Sequence, residues 1–166
     1  MHALVFIISR DTYTQWFQTR IVHRILGTKS LLFKMNIVHD NLCSFCKENE
    51  ETLLHIFWDC IFTKRIVNYV VDFLRSHNVQ KCTDISCQTM LFGCTSINMT
   101  DINILILEIK KYIFVCQRKG LLPSIRRLNN YLCVAWEIQS NTKCKEKKLL
   151  NWSIVKLFVD NRTALL

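Results

Sequence analysis

Between Cys43 and Cys60 the chain reads Cys43-Ser44-Phe45-Cys46, eight residues, His55, four residues, Cys60, and no other feature restricts the fold as strongly. Two cysteines three positions apart can grip one ion from a single turn. A later His and Cys complete a tetrahedral set of soft and borderline donors, which suits zinc. All four positions are filled by protein groups, so no position stays open for water, and the single ion reads as structural. His55 and Cys60 add a demand of their own. On a straight helix, residues five apart point about 140° away from each other, so the helix must distort or start anew between them.

The rest of the chain tells what surrounds such a site. Only 3 Gly and 1 Pro occur in 166 residues, which disfavours turn-rich β folds and glycine-cradled nucleotide sites and favours helices joined by short polar connections. Half the residues are apolar, enough for a core. The expected fold is mainly α, a small helical bundle with an embedded CCHC zinc knuckle. Its parts are an N-terminal helical segment (1–40), the knuckle (41–60), a helix leaving it (61–75), an irregular linker (76–100) and a basic helical C-terminal region (101–166).

Helical periodicity supports this division. Tyr13, Phe17, Ile21 and Ile25 lie four apart, widened by Val22 and Leu26, with Gly27 placed as a C′ stop. Phe62, Ile66, Tyr69, Val70 and Phe73 form a second stripe. In the third, Ile102, Leu105, Ile106, Ile109, Tyr112, Ile113 and Cys116 are joined by Ile104, Leu107 and Phe114 on another side, predicting burial over more than one face. Lys119-Gly120 marks that helix's end, and Pro123 stands near the start of a further one.

The net charge of +9 is uneven: residues 1–100 carry 10 Lys+Arg against 8 Asp+Glu (+2), and residues 101–166 carry 12 against 5 (+7). Such a basic half attracts polyanions, although a solvated basic face accounts for it equally well. Nine cysteines are an odd number, without an evident secretory signal, so an intracellular, reducing setting is expected. No membrane span is evident, because Asn103, Glu108, Lys110 and Lys111 interrupt the longest apolar stretch. Cys116 and Cys133 read as core, His39 as a solvated loop residue or a support for the knuckle, and Glu50-Glu51 as a solvated acidic helix start. Cys82 and Cys87 have no matching His-Cys pair to form a second site. Nucleotide-binding loops, hydrolase elbows and paired catalytic aspartates are missing, so no catalytic residue is expected.

Trp16-Phe-Gln-Thr-Arg20-Ile-Val-His23-Arg24-Ile-Leu-Gly-Thr, the Cys43–Cys46 pair and Glu51-Thr-Leu-Leu-His55-Ile-Phe-Trp-Asp-Cys60 resemble the zinc-binding region that follows the reverse transcriptase domain of non-LTR (LINE-type) retrotransposons. Lys111–Cys116, Leu122-Pro123-Ser124 and Asn151-Trp152-Ser153 are similar to the tail of the same polyproteins. The resemblance implies that Cys43, Cys46, His55 and Cys60 hold the zinc and that the polymerase, with its catalytic aspartates, lies in a covalently linked upstream domain. It also implies RNA or DNA as partner and a nuclear location, with no small-molecule substrate. Arg20 and Arg24 are the first candidates for phosphate contacts, followed by Lys64, Arg65, Lys110, Lys111 and Arg118, and a solvated helix face is the competing account. Trp58 and Phe45 either stack on an unpaired base or pack beneath the metal. The alternative function is a zinc-stabilised helical scaffold that binds no nucleic acid. A redox Cys-x-x-Cys enzyme leaves His55 and Cys60 unexplained and lacks a βαβ pattern.

Overall fold

The computed structural model describes residues 11–79, 85–94, 100–141 and 152–161. The protein is mainly helical, and among these residues the nearest approach to a sheet is one antiparallel bridge between Leu42 and Glu50. No helix of the described residues is long and apolar enough to cross a membrane.

Helix α1, Thr12–Val22, begins at Asp11, whose carboxylate accepts from the amides of Tyr13 and Thr14. This satisfies two donors that the first turn leaves over. Its buried face is Thr14, Phe17, Gln18 and Ile21, so Phe17 and Ile21 keep the inward role their spacing predicts, while Tyr13 and Ile25 are more than half exposed. The helix also ends earlier than the stripe suggests. Arg24, not Gly27, takes the left-handed conformation (φ 58°), and the amides of Ile25 and Leu26 both return to the carbonyl of Arg20. Thr28 then caps a short α2, Lys29–Lys34.

Helix α3, Ile61–Ser76, buries Ile66, Val67, Val70, Phe73 and Leu74. The stretch expected to be an irregular linker contains α4, Cys87–Phe92, capped by Ser86, and it buries Met90. Six residues are too short for the 3.6-residue period to register against a polar background. Residues 80–84 and 95–99, with Cys82, lie outside the described residues.

Helix α5, Thr100–Arg118, is the axis of the fold, and every residue from Ile102 to Lys110 is buried. Burial over more than one face, expected from its two apolar sides, is what the structure has. Helices α6, Ile125–Asn141, and α7, Ser153–Asp160, pack on it and on each other. Phe158 of α7 stacks on Phe73 of α3 at 3.6 Å between ring centroids. Gly120 (φ 64°) follows α5, with Leu121 donating back to the carbonyl of Cys116, the six-to-one closure of a Schellman end.

A helix buried all round must also answer its polar groups. Glu108 accepts from Lys111 at 2.6 Å and from the Tyr131 hydroxyl at 3.2 Å. Asn103 accepts from the Cys94 amide and donates to the Cys94 carbonyl. That exchange holds the chain just after Gly93, whose φ of 81° and ψ of 172° lie in a region reserved to glycine. Lys110 donates to Gln18 of α1 at 2.5 Å and to the Leu91 carbonyl of α4 at 3.0 Å. Burial holds its ammonium down to about 7.

Candidate metal centre

The knuckle is built from short backbone closures. The Leu42–Glu50 bridge pinches the loop, with the Cys43 amide donating to Asn49 and the Glu51 amide to Asn41. Inside it Lys47 donates to the Cys43 carbonyl and turns the chain at φ 60°, so Cys43 and Cys46 face the same point. The Phe45 amide approaches the Cys43 sulfur at 3.4 Å.

The second pair comes from a π-helical turn, His55–Asp59. A π-turn bonds residue i to residue i+5, and here the Cys60 amide donates to the His55 carbonyl at 2.8 Å. The wider turn stacks the two residues, which a straight α-helix would splay. Cys60 itself leaves the helix (φ −59°, ψ 129°) and α3 starts behind it. The distortion that the four-residue spacing demands is therefore present and has a defined form. The Thr63 hydroxyl, fully buried, donates to the Ile56 carbonyl at 2.7 Å, supplying a partner within the widened turn.

The ligand atoms of Cys43, Cys46, His55 and Cys60 all lie within 4.8 Å of one another. The Cys43 and Cys60 sulfurs are 3.9 Å apart and the Cys46 sulfur is 3.3 Å from His55 Nε2. A zinc tetrahedron with its usual bond lengths places sulfurs about 3.8 Å apart and sulfur and nitrogen about 3.6 Å apart. The spacing and the three-thiol, one-imidazole chemistry thus fit zinc. Hydrogen bonding to Cys60, then burial, pushes the Cys43 thiol up. Hydrogen bonding from Cys43, with the Phe62 and Thr63 amides at the start of α3, holds the Cys60 thiol down.

Glu51 is where the sequence reading misses most. It is fully buried, not part of a solvated helix start. One carboxylate oxygen accepts from the Lys29 amide at 2.8 Å and from Gln117 at 3.0 Å, the other from the Ser44 amide at 2.7 Å. One side chain thereby ties the first turn of α2, the cysteine turn and α5. Glu50 accepts from the Ser30 hydroxyl. Glu50 itself is exposed, and nothing in the spacing of acidic residues separates the buried Glu51 from its exposed neighbour.

The candidate polyanion contacts differ in exposure and in the partners they already have. Arg20 is exposed on α1, but Arg24 lies beyond the helix, so the two do not share one helical face. Lys64 and Arg65 are exposed in the first turn of α3, the latter 5.8 Å from the Phe62 ring, and Arg118 is exposed at the end of α5. Lys110 is 2% exposed, which removes it from any phosphate. Lys111 is occupied by Glu108 and Thr14. Phe45 is buried and Trp58 half-buried against the core, as packing beneath the metal requires. His39 is exposed, and Cys116 and Cys133 belong to the interior.

Residues 6–66 match the model of a family described as zinc-binding in reverse transcriptase. The matched segment contains all four candidate ligands and ends within α3. Neither the curated proteins nor the solved structures include a significant match.

Proposed function

We propose that this protein is a nucleic-acid-binding zinc module of a non-LTR retroelement, holding RNA or target DNA for a polymerase carried on a linked upstream domain and acting in the nucleus. The observation that carries the reading is the Cys43–Cys46–His55–Cys60 cluster at zinc spacing inside the segment that matches the reverse transcriptase zinc-binding family. One zinc organises the knuckle and supplies no chemistry, because protein groups take all four positions. Arg20, Arg24, Lys64, Arg65 and Arg118 are exposed and available to phosphates, and their contacts give binding that weakens steeply with salt.

Two measurements test this. Elemental analysis of reduced protein is expected to give one zinc per chain, released in Cys43→Ser with loss of helical signal around the knuckle. Fluorescence anisotropy with labelled RNA and DNA across a salt series is expected to give a negative slope of log affinity against log salt. A zinc-loaded chain that binds neither at low salt leaves the scaffold reading in its place.

A further inference from the structure

A groove of about 450 Å³ opens beside the knuckle, between the end of α1, α2, the residues entering the π-turn, and α4. Its apolar lining is Ile21, Leu31, Leu53, Leu54, Leu91 and Phe92, and Leu54 and Phe92 are 43% and 37% exposed. Arg24 and Lys34 also line it, both exposed, and among the described residues no carboxylate does. The hydroxyls of Thr28 and Thr52 accept from the Leu31 and His55 amides and have no acceptor of their own among the described residues, so each keeps a hydrogen to donate. The groove thus combines an apolar wall that includes one aromatic ring with two cations and two hydroxyl donors.

That combination selects a ligand with a planar, weakly polar body and an adjacent anion. We infer that the groove takes an unstacked nucleotide of a single-stranded nucleic acid, its base against Leu54, Leu91 and Phe92 and its phosphates beside Arg24 and Lys34. Stacking on a π-face tolerates any base, and the flanking cations follow the backbone. A base paired in a duplex cannot enter, so single strands are preferred over duplexes. The inference rests on the nucleic-acid reading above and adds where the strand is held.

The test compares two labelled strands of about 12 nucleotides, one of mixed sequence and one abasic throughout, which carries the same charge without bases. With the zinc-loaded full chain, the intact strand is expected to bind about ten-fold tighter than the abasic one. Phe92→Ala and Leu54→Ala, both at exposed positions, are expected to close that gap and leave abasic binding unchanged. Lys34→Gln and Arg24→Asn, the latter chosen because Asn tolerates positive φ, are expected to weaken both strands and to reduce the salt slope by about one each. Equal binding of the two strands by the wild type overturns the groove assignment and leaves the nucleic-acid reading standing. Binding of neither overturns both. A gap that survives Phe92→Ala and Leu54→Ala, in variants with unchanged circular dichroism, places the base elsewhere. Equal binding of the two strands, with both displaced by an acidic amphipathic peptide, makes the groove a peptide site and also overturns the assignment.

Discussion

The carboxylate of Glu51 accepts the amide of Ser44 at 2.7 Å, so a residue on the histidine side of the knuckle fixes the turn that carries the first two cysteines. Charge-assisted bonds of this kind are worth about 1.5–3 kcal/mol each, and a buried donor left without its partner costs the full desolvation penalty. Glu51→Ala is expected to lower stability by about 3 kcal/mol and to speed zinc loss to a chelator. Glu51→Gln, which places an NH2 group against amide donors, should recover less than half of this. Urea unfolding of the zinc-loaded protein measures the first effect and stopped-flow chelation the second. Wild-type stability in Glu51→Ala would sink the account.

Thr63→Val keeps the shape and removes the hydroxyl that satisfies the Ile56 carbonyl in the π-turn. The expected cost is about 1–2 kcal/mol, accompanied by weaker zinc binding, because the turn that brings His55 over Cys60 can then relax toward α-helical winding. Thr63→Ser, which retains the donor, should hold the affinity. Competition with a chromogenic chelator separates the two variants.

Gly93→Ala meets two obstacles. A Cβ there would lie 2.8 Å from Asn103 Oδ1, and the backbone conformation is one that side chains avoid. A loss of about 2–4 kcal/mol is expected. In a double-mutant cycle with Asn103→Ala the contact part should vanish and the backbone part remain, giving clear non-additivity. Strictly additive costs would show that Asn103 is not the obstacle.

Lys110 carries a pH dependence whose sign follows from its burial. Its folded value is held down to about 7 from an ordinary 10.5, so between these limits the unfolded chain binds more protons than the folded one. Stability from this group therefore rises with pH across that window and is lowest below its folded value, at a slope approaching about 1.4 kcal/mol per pH unit. Denaturation of zinc-saturated wild type and Lys110→Met between pH 6.5 and 9 should show the difference growing in favour of wild type as pH rises. Parallel curves would rule out a depressed lysine.

The ligand set was legible in the sequence because metal chemistry restricts residue types and spacing together, and even the break between His55 and Cys60 follows from helical angles alone. The central helix was legible for a related reason: apolar residues on two sides of Ile102–Cys116 state its burial directly. Glu51 and Lys110 were not. A buried charge looks like an exposed one until its donors and acceptors, Ser44, Lys29 and Gln117 in one case and Gln18 and Leu91 in the other, arrive from distant parts of the chain. The end of α1 was misplaced because glycine usually supplies the left-handed residue, whereas here Arg24 adopts it. Helix α4 escaped because a single turn and a half leaves no period to read.

The family match stops at residue 66, yet the folding unit does not. Gln117 reaches Glu51, Lys110 reaches Gln18, and α5 lies against the π-turn. A chain cut after the matched segment would keep every ligand and lose the contacts of α5 with the π-turn, whose Ile56 and Phe57 are both fully buried. The knuckle therefore leans on the rest of the fold, and metal occupancy and the integrity of α5 should rise and fall together.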